Sequence, residues 1–309
     1  VLIVGAGPSG LMAALLLRRL GIEAEVVERR PTHQRAPAAH VVNARTLEIC
    51  RAAGVDGAAL SAAAVDPADG GFVCFVTRLG GEELGRLPFE RQGADQLAVT
   101  PTPLRNLSQN RFEPCLLDAM EKAGAPPPRW QHEWESAEQD ADAVVSRVRN
   151  LETGEPEEVR SDYLLAADGA GSPVRKSLGI GVTGPDRLQS FVTVHFLANL
   201  RPRVGHPPGV LFFVCEPATG GGVFVVHDLD REAVYMHPFD PERESVLDYD
   251  VPRCETLVRE AVEGGSLDFQ VADIGSWFMT AQVADHYRQG RVFLVGDAAH
   301  RFPPTGGLG

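Results

Sequence analysis

Three glycine-containing turns hold the residues whose types and spacing suit chemistry. The first is Gly5-Ala6-Gly7-Pro8-Ser9-Gly10, between the apolar run Val1–Val4 and a helical pattern that begins at Leu11. In a G-x-G-x-x-G turn so flanked, the first glycine permits a tight turn. The second lets the backbone approach a pyrophosphate, and the third lets helix and strand pack closely. The helix N-terminus then offers unsatisfied N–H groups and a positive dipole end to the phosphates, with Pro8 and Ser9 inside the same turn. Glu28 closes the next strand, 18 residues past Gly10, where a carboxylate can accept hydrogen bonds from a ribose diol. These residues predict a bound dinucleotide, and the turn alone does not separate FAD from NAD.

The second turn is Asp168-Gly169-Ala170-Gly171-Ser172, with Arg175 just beyond, after the buried-strand pattern Tyr163–Ala167. The third is Gly296-Asp297-Ala298-Ala299-His300, after Arg291–Val295, and it leads into Pro303-Pro304-Thr305-Gly306-Gly307. A carboxylate at the C-terminal end of a strand, beside a glycine, can bind a sugar or polyol hydroxyl. Taken singly, each of these two stretches is equally a turn former. Their order and separation after the first turn make the set far more specific. His300 is read as structural. Between Glu28 and Arg51, five arginines (29, 30, 35, 45, 51) face two glutamates (28, 48), a local charge of +3 that suits a phosphate-facing surface or a solvated helix face.

The elements that must position these turns can be read from periodicity. Strands are expected at Val1–Val4 and Glu25–Glu28, and helices at Leu11–Leu20, Ala44–Ala53 and Ser108–Ala123. Gly70–Phe89 is strand-like, with turns at Gly80-Gly81 and Leu87-Pro88. Trp130–Leu165 suggests a meander turning at Thr153-Gly154, reached through the stiff connector Pro126–Pro128. Phe191–Leu197, Val210–Val214, Val223–His227 and Ala233–His237 read as antiparallel sheet, followed by a helix over Cys254–Glu263. Nucleotide-type turns near residues 5, 168 and 296, with sheet-rich stretches between them, imply one nucleotide domain interrupted by inserts rather than two domains in series.

Composition sets outer bounds. The chain has 309 residues, which suggests about two domains. Its 29 basic and 42 acidic side chains give a net charge of −13, a poor match to the basic surface that nucleic-acid binding needs. Hydrophobic residues make up 44%, enough for a sizeable core. The five cysteines (50, 74, 115, 215, 254) are scattered, form no C-x-x-C, and read as reduced thiols of a cytoplasmic protein. No zinc-like cluster, H-E-x-x-H or G-x-S-x-G occurs, so no metal site and no serine nucleophile are expected. The glycines interrupt the apolar start, leaving pieces well short of the ~20 residues of a membrane span.

The stretches VLIVGAGPSGLMAALLLRRLG, VVERRP, ARTLEICRAAGV, LSQNRFEPCLLDAM, YLLAADGAGSPVRKSLGI and FLVGDAAHRFPPTGGLG resemble the FAD-dependent aromatic hydroxylases. This is the single-component class typified by p-hydroxybenzoate and phenol hydroxylases, and the likeness is greater to its polyketide and substituted-phenol branch. The resemblance spans nearly the whole chain. It implies an α/β fold in which a Rossmann-like FAD-binding domain (1–71, 100–185 and 285–309) is interleaved with an antiparallel-sheet substrate domain (72–99 and 186–284). Gly5, Gly7, Pro8, Ser9 and Gly10 would hold the pyrophosphate, and Glu28 the adenosine ribose, with Arg29 beside it. Arg45 and Gln109 would contact the phosphate and the ribityl or flavin region. Asp168, Gly169 and Arg175 match a stretch linked to both FAD and NADPH. Gly296 and Asp297 would bind the ribityl chain. The backbone of Pro303, Pro304, Gly306, Gly307 and Gly309 would line the flavin ring, in place of any side-chain nucleophile.

The implied reaction is hydroxylation of a phenolic or aromatic polyketide substrate through a flavin C4a-hydroperoxide, with NADPH or NADH and O₂ as co-substrates. Baeyer–Villiger or epoxidising oxygenation on the same fold, or flavin binding without turnover, are the competing readings. The substrate is expected between the flavin loop and the sheet, with Phe212, Phe213, Phe224 and His237 as candidate lining residues. No nucleic-acid or membrane partner is expected, and the oligomeric state is left open. The resemblance also implies that the chain continues beyond Gly309, and the missing initial Met that a few residues precede Val1.

Overall fold

Leu2–Val4 forms a strand (β1) with no side chain more than 6% exposed, which its unbroken apolar sequence requires. A computed structural model of the chain describes residues 1–89, 92–205 and 207–304. In it β1 is an inner strand of a six-stranded sheet. The order is Arg288–Gln289, Val292–Leu294, Leu164–Ala166, β1, Glu25–Glu28 (β2) and Arg129–Trp130. All pairs are parallel except the edge hairpin of Arg288–Gln289 with Val292–Leu294.

Both faces of this sheet are covered, so its strands carry apolar residues continuously rather than in alternation. Ile3 and Val26 pack against the helices Pro8–Arg19 (α1) and Gln109–Lys122 through Leu11, Leu15, Leu116 and Met120. Leu2, Val4, Leu164 and Leu294 point the other way, onto Trp134, Val144 and Val148. Those three belong to a small antiparallel sheet of His132–Gln139, Val144–Asn150 and Pro156–Ser161.

A second, seven-stranded sheet runs Gln270–Met279, Gln189–Leu197, Glu232–Phe239, Gly222–Asp228, Leu211–Val214, Phe72–Val76, Glu83–Pro88. Strand alternation gives it two unlike faces. Val192, Val194, Phe196, Phe212, Phe224 and Tyr235 form a closed core with Cys254 and Val258 of the helix Val251–Glu260. The other face includes a transverse row, Thr193, Met236, Val223, Phe213 and Phe75, in direct cross-strand register. Every member of this row is only partly buried, and Phe213 stacks on Phe75 at 5.2 Å between ring centroids.

Several local expectations change. Leu87-Pro88 is not a turn. It ends the strand Glu83–Pro88 at the sheet edge, where a proline needs no ladder partner. The sheet is not wholly antiparallel, because Leu211–Val214 lies parallel to Phe72–Val76. The helix expected from Cys254 starts at Val251, where the Asp250 side chain accepts the Arg253 N–H at 2.9 Å, and it ends at Glu260. Among the elements without a reading are the helix Gly57–Ala63 and the strand Gln270–Met279. Among the described residues, no helix is long and apolar enough to cross a membrane.

Candidate functional site

The C-terminal ends of three neighbouring parallel strands bring the three turns together. Val4 pairs with Ala166 and Ala166 with Leu294, so Gly5, Ala167 and Val295 follow at one level. Ala167 N–H donates to Val4 O at 2.8 Å and Val295 N–H to Ala166 O at 2.9 Å. The turns are also in direct contact. Gly5, at φ +105°, lies so near the second turn that a Cβ there would stand 2.3 Å from Ala167 O. A Cβ on Gly10 would stand 2.0 Å from Gly5 O, and one on Gly296 would stand 2.5 Å from Ser9 Oγ. Gly5 and Gly10 are needed for backbone packing, while Gly296, at φ +58°, leaves room for the Ser9 side chain. Gly7 differs, because a Cβ there would meet nothing within 4 Å. Its side is open space at the start of α1, a helix with neither a capping side chain nor an acidic residue in its first turn.

Glu28 is buried at the end of β2. Its Oε2 accepts the Ala6 N–H at 2.8 Å, and its Oε1 accepts the Arg30 N–H at 2.9 Å. Burial opposes ionisation, but the Arg30 guanidinium and the two backbone N–H groups together hold the carboxyl below its ordinary pKa. Arg30, rather than Arg29, is the arginine against it, with Arg29 exposed. Arg45 is also exposed, 3.4 Å from Glu48 on its own helix. Gln109 opens the helix Gln109–Lys122. Its Nε2 donates to the fully buried Glu113 at 2.7 Å, and its backbone N–H to Ala38 O at 2.8 Å.

Arg175 ties the second turn to the third. It is 5% exposed, and it donates from Nη1 to Ala298 O at 2.9 Å and from Nη2 to Ala170 O at 3.1 Å. Asp168 Oδ2 accepts the Val174 N–H at 3.0 Å, while its Oδ1 is buried with no partner. Burial raises the Asp168 pKa. Asp297 reaches solvent, yet crowding by surrounding protein raises its pKa too, as expected of a carboxyl in a concave position. His300 lies between the rings of Tyr287 and Phe302, at 6.2 and 4.9 Å, with Nδ1 buried and unpartnered. Pro303 is half-buried and Pro304 exposed, and Gly306, Gly307 and Gly309 lie outside the described residues.

A second set of polar groups joins this region to the seven-stranded sheet, and none of it was read from the sequence. Arg111 Nη2 donates to Glu232 Oε2 at 2.8 Å, and Glu232 Oε1 is 2.9 Å from His195 Nε2. His195 first, then Arg111, draw the Glu232 pKa down to about 2, against burial. His40 and His227 are neutral imidazoles beside this network, lowered by burial to about 4 and about 3. The two ends of each link lie far apart in sequence, so no local pattern announces them. Among the candidate lining residues, Phe212 and Phe224 are core, at 4% and 0% exposure, because register turns them toward the helix face. His237 lies between Tyr235 and Tyr249 on that same side, and Phe213 alone faces away.

Open space at Gly7, a free helix N-terminus, and two pKa-raised aspartates without a salt bridge on adjacent strand ends fit a long dinucleotide lying along the sheet edge. The fold and its strand-end site are those of a dinucleotide-binding α/β protein. A family model described as an FAD binding domain matches residues 1–309, and the chain belongs to that family. Aklavinone 12-hydroxylase DnrF of Streptomyces peucetius subsp. caesius is 38% identical, over all of this chain and 64% of its own length. The 2,4-dichlorophenol 6-monooxygenase of Cupriavidus pinatubonensis is 34% identical, over all of this chain and 53% of its own length. Among solved structures, the flavin-dependent monooxygenase PieE with FAD and substrate is 35% identical with a TM-score of 0.89, covering all of this chain and 54% of that one. A ternary complex of aklavinone-11 hydroxylase with FAD and aklavinone is 33% identical with a TM-score of 0.89, covering 99% of this chain and 58% of that one. The chain thus spans between half and two-thirds of the length of these relatives. Among the described residues, no group of three or more His, Cys, Asp or Glu could hold a metal ion.

Four substitutions test this geometry. Gly7→Ala is expected to leave the melting temperature of the FAD-free protein within a degree or two and to weaken FAD binding at least about tenfold. Gly10→Ala is expected to cost about 1–3 kcal/mol of folding stability in a denaturant titration, because backbone must move. Asp297→Ala is expected to lose most bound flavin on purification, read from the visible absorbance. For Glu28 the folded pKa lies below the unfolded one. Its contribution is therefore present above the ordinary carboxylate range and lost as pH falls through the folded value. Glu28→Gln is expected to lower the urea midpoint at pH 7 and to flatten its decline as pH falls below about 4.5.

Proposed function

We propose that the protein is an FAD-dependent, NAD(P)H-consuming monooxygenase that hydroxylates a phenolic or aromatic polyketide acceptor. The observation that carries this reading is the convergence of the three turns at one strand-end edge, in a chain whose relatives include hydroxylases of both acceptor types. We assign the cofactor domain to 1–71, 100–185 and 285–309 and the acceptor domain to 72–99 and 186–284. The strands of the two large sheets are distributed in accord with that division.

In this reading the open side of Gly7 and the first N–H groups of α1 take the pyrophosphate. Glu28, held in place by Ala6 and Arg30, takes a ribose hydroxyl. Asp168 Oδ1 and Asp297 accept polyol hydroxyls, and such bonds would relieve the unpartnered buried oxygen of Asp168. Arg175 keeps the second and third turns at a fixed spacing. Bound FAD would accept a hydride equivalent from NAD(P)H and activate O₂. The protein contributes position, charge and water exclusion. The partly buried row of Thr193, Met236, Val223, Phe213 and Phe75 offers an apolar floor to an aromatic acceptor. The acidic net charge argues against nucleic acid as a partner, and we assign the protein to the cytoplasm.

The test is NAD(P)H consumption by FAD-loaded protein over phenols and hydroxylated polycyclic aromatics, with product masses. The expected product gains one oxygen and stays aromatic. A ring-expanded lactone would reassign the reaction to Baeyer–Villiger insertion. Consumption unchanged by every acceptor would leave a flavin-binding protein without turnover.

A further inference from the structure

We propose that the protein carries an accessory ligand site, a cleft that takes a small molecule with a flat apolar body and one carboxylate. The cleft lies between the helix Ala44–Ala52, the helix Gly57–Ala63 and the segment 101–105. Its volume is about 360 Å³, within the roughly 300–1,000 Å³ usual for small-molecule sites. None of the residues assigned to the cofactor or the acceptor lines it.

Three observations define the occupant. The first is an apolar interior. Leu47, Val55 and Leu60 line the cleft, and each is no more than 5% exposed. Pro101 and Pro103 form another part of the lining, and their rings restrict the backbone of that wall. Gly57 lines the cleft as well, and a Cβ there would meet nothing within 4 Å.

The second observation is charge. Arg51 and Arg105 both line the cleft, and no acidic residue does. Among the described residues the Arg51 side chain has no hydrogen bond or ion pair, and the Arg105 guanidinium has only the carbonyl of its own neighbour, Leu104, at 3.3 Å. The acidic residues next to lining positions in sequence are engaged elsewhere. Glu48 Oε1 accepts the Thr100 hydroxyl at 2.8 Å, and its Oε2 lies 3.4 Å from Arg45. Asp56 Oδ1 caps the helix Gly57–Ala63 through the Ala58 N–H at 2.8 Å. In a chain of net charge −13, two unmatched guanidinium groups on one cleft make a local site for an anion.

The third observation is support. Arg105 lies on the strand Arg105–Asn106, which pairs with Val41–Val42. The Thr102 hydroxyl donates to Ala44 O at 3.4 Å, at the first residue of the helix that bears Arg51. The backbones that carry the two cations are thereby fixed to one another, as a preformed site requires. A molecule with both parts uses the whole cleft. Its body covers Leu47, Val55 and Leu60, and its carboxylate accepts the N–H donors of Arg51 and Arg105. An inorganic anion would leave the apolar lining uncovered, and a neutral ring would gain nothing from the guanidinium groups.

The experiment uses FAD-loaded protein with 2-naphthoate, its neutral amide 2-naphthamide, and acetate as the head group alone. Binding is read by titration calorimetry, with the flavin spectrum recorded in parallel, and none of these readouts depends on turnover. Wild type is expected to bind 2-naphthoate with a Kd below about 1 mM, at least about tenfold tighter than the amide or acetate, with FAD retained and its spectrum unchanged. Arg51→Gln combined with Arg105→Gln is expected to weaken 2-naphthoate at least about tenfold while leaving FAD content and the ligand-free melting temperature unchanged. Ser61→Trp keeps both arginines but fills the cleft, so it is expected to abolish binding. No binding in wild type, or undiminished affinity in the double variant, overturns the site. Equal affinity for the amide overturns the role of the anion. Binding that perturbs the flavin spectrum and survives in both variants belongs to the acceptor site and also overturns the proposal.

Discussion

The close approach of three backbone segments at the ends of adjacent parallel strands is the constraint on which the rest of the structure depends. Parallel pairing in register delivers Gly5, Ala167 and Val295 to one level. Only residues without a Cβ let the chains then turn without collision, with Gly5 against Ala167, Gly10 against Gly5, and Gly296 against Ser9. Once nested, the turns share the same strand-end edge. Glu28 reaches back to the first turn through Ala6, and Arg175 clasps the second turn to the third. The site is thus a consequence of strand register.

This explains what could be read from the sequence. The three turns were legible because each is local: an apolar run, a glycine, a carboxylate. The parallel strands were legible because a doubly covered sheet leaves continuous apolar runs. The helix Gly57–Ala63 was not, because its small residues carry no apolar period and its start depends on Asp56 capping. The strand Gln270–Met279 is an edge strand with many exposed positions, so its alternation is blurred by polar residues on both faces. Phe212 and Phe224 illustrate a different limit. Periodicity put them on strands correctly, but which face was core depends on the helix Val251–Glu260, which lies elsewhere in the chain.

The polar seam between the two large sheets was the least legible part. Arg111 and Glu232 are 121 residues apart, and His195 and Glu232 are 37 apart. Nothing in either neighbourhood marks these side chains as partners. Their energetic sense is nonetheless plain. A half-buried carboxylate is costly unless its oxygens are matched, and Glu232 has one oxygen on a guanidinium and the other on an imidazole. Arg111 also donates to the backbone of His227 at 3.3 Å, so the link fixes the strand itself and not only a side chain.

That link ties the seven-stranded sheet to the helix Gln109–Lys122, which packs on the six-stranded one. Arg111 sits in the first turn of the helix that Gln109 opens, and Gln109 N–H pins the loop bearing Ala38, Ala39 and His40. The helix therefore holds the sheet with one residue and the His40 loop with another, two positions apart. A shift of the sheet along its strands would uncouple Glu232 from Arg111 and leave a poorly solvated charge, so the relative placement is strongly preferred. Four of the eight unpartnered buried polar atoms among the described residues, on His40, Asn106, Ser108 and Asn110, lie on the segments that this junction pins. A preorganised set of unsatisfied groups needs such a support, because a flexible loop would fold back to satisfy its own polar atoms.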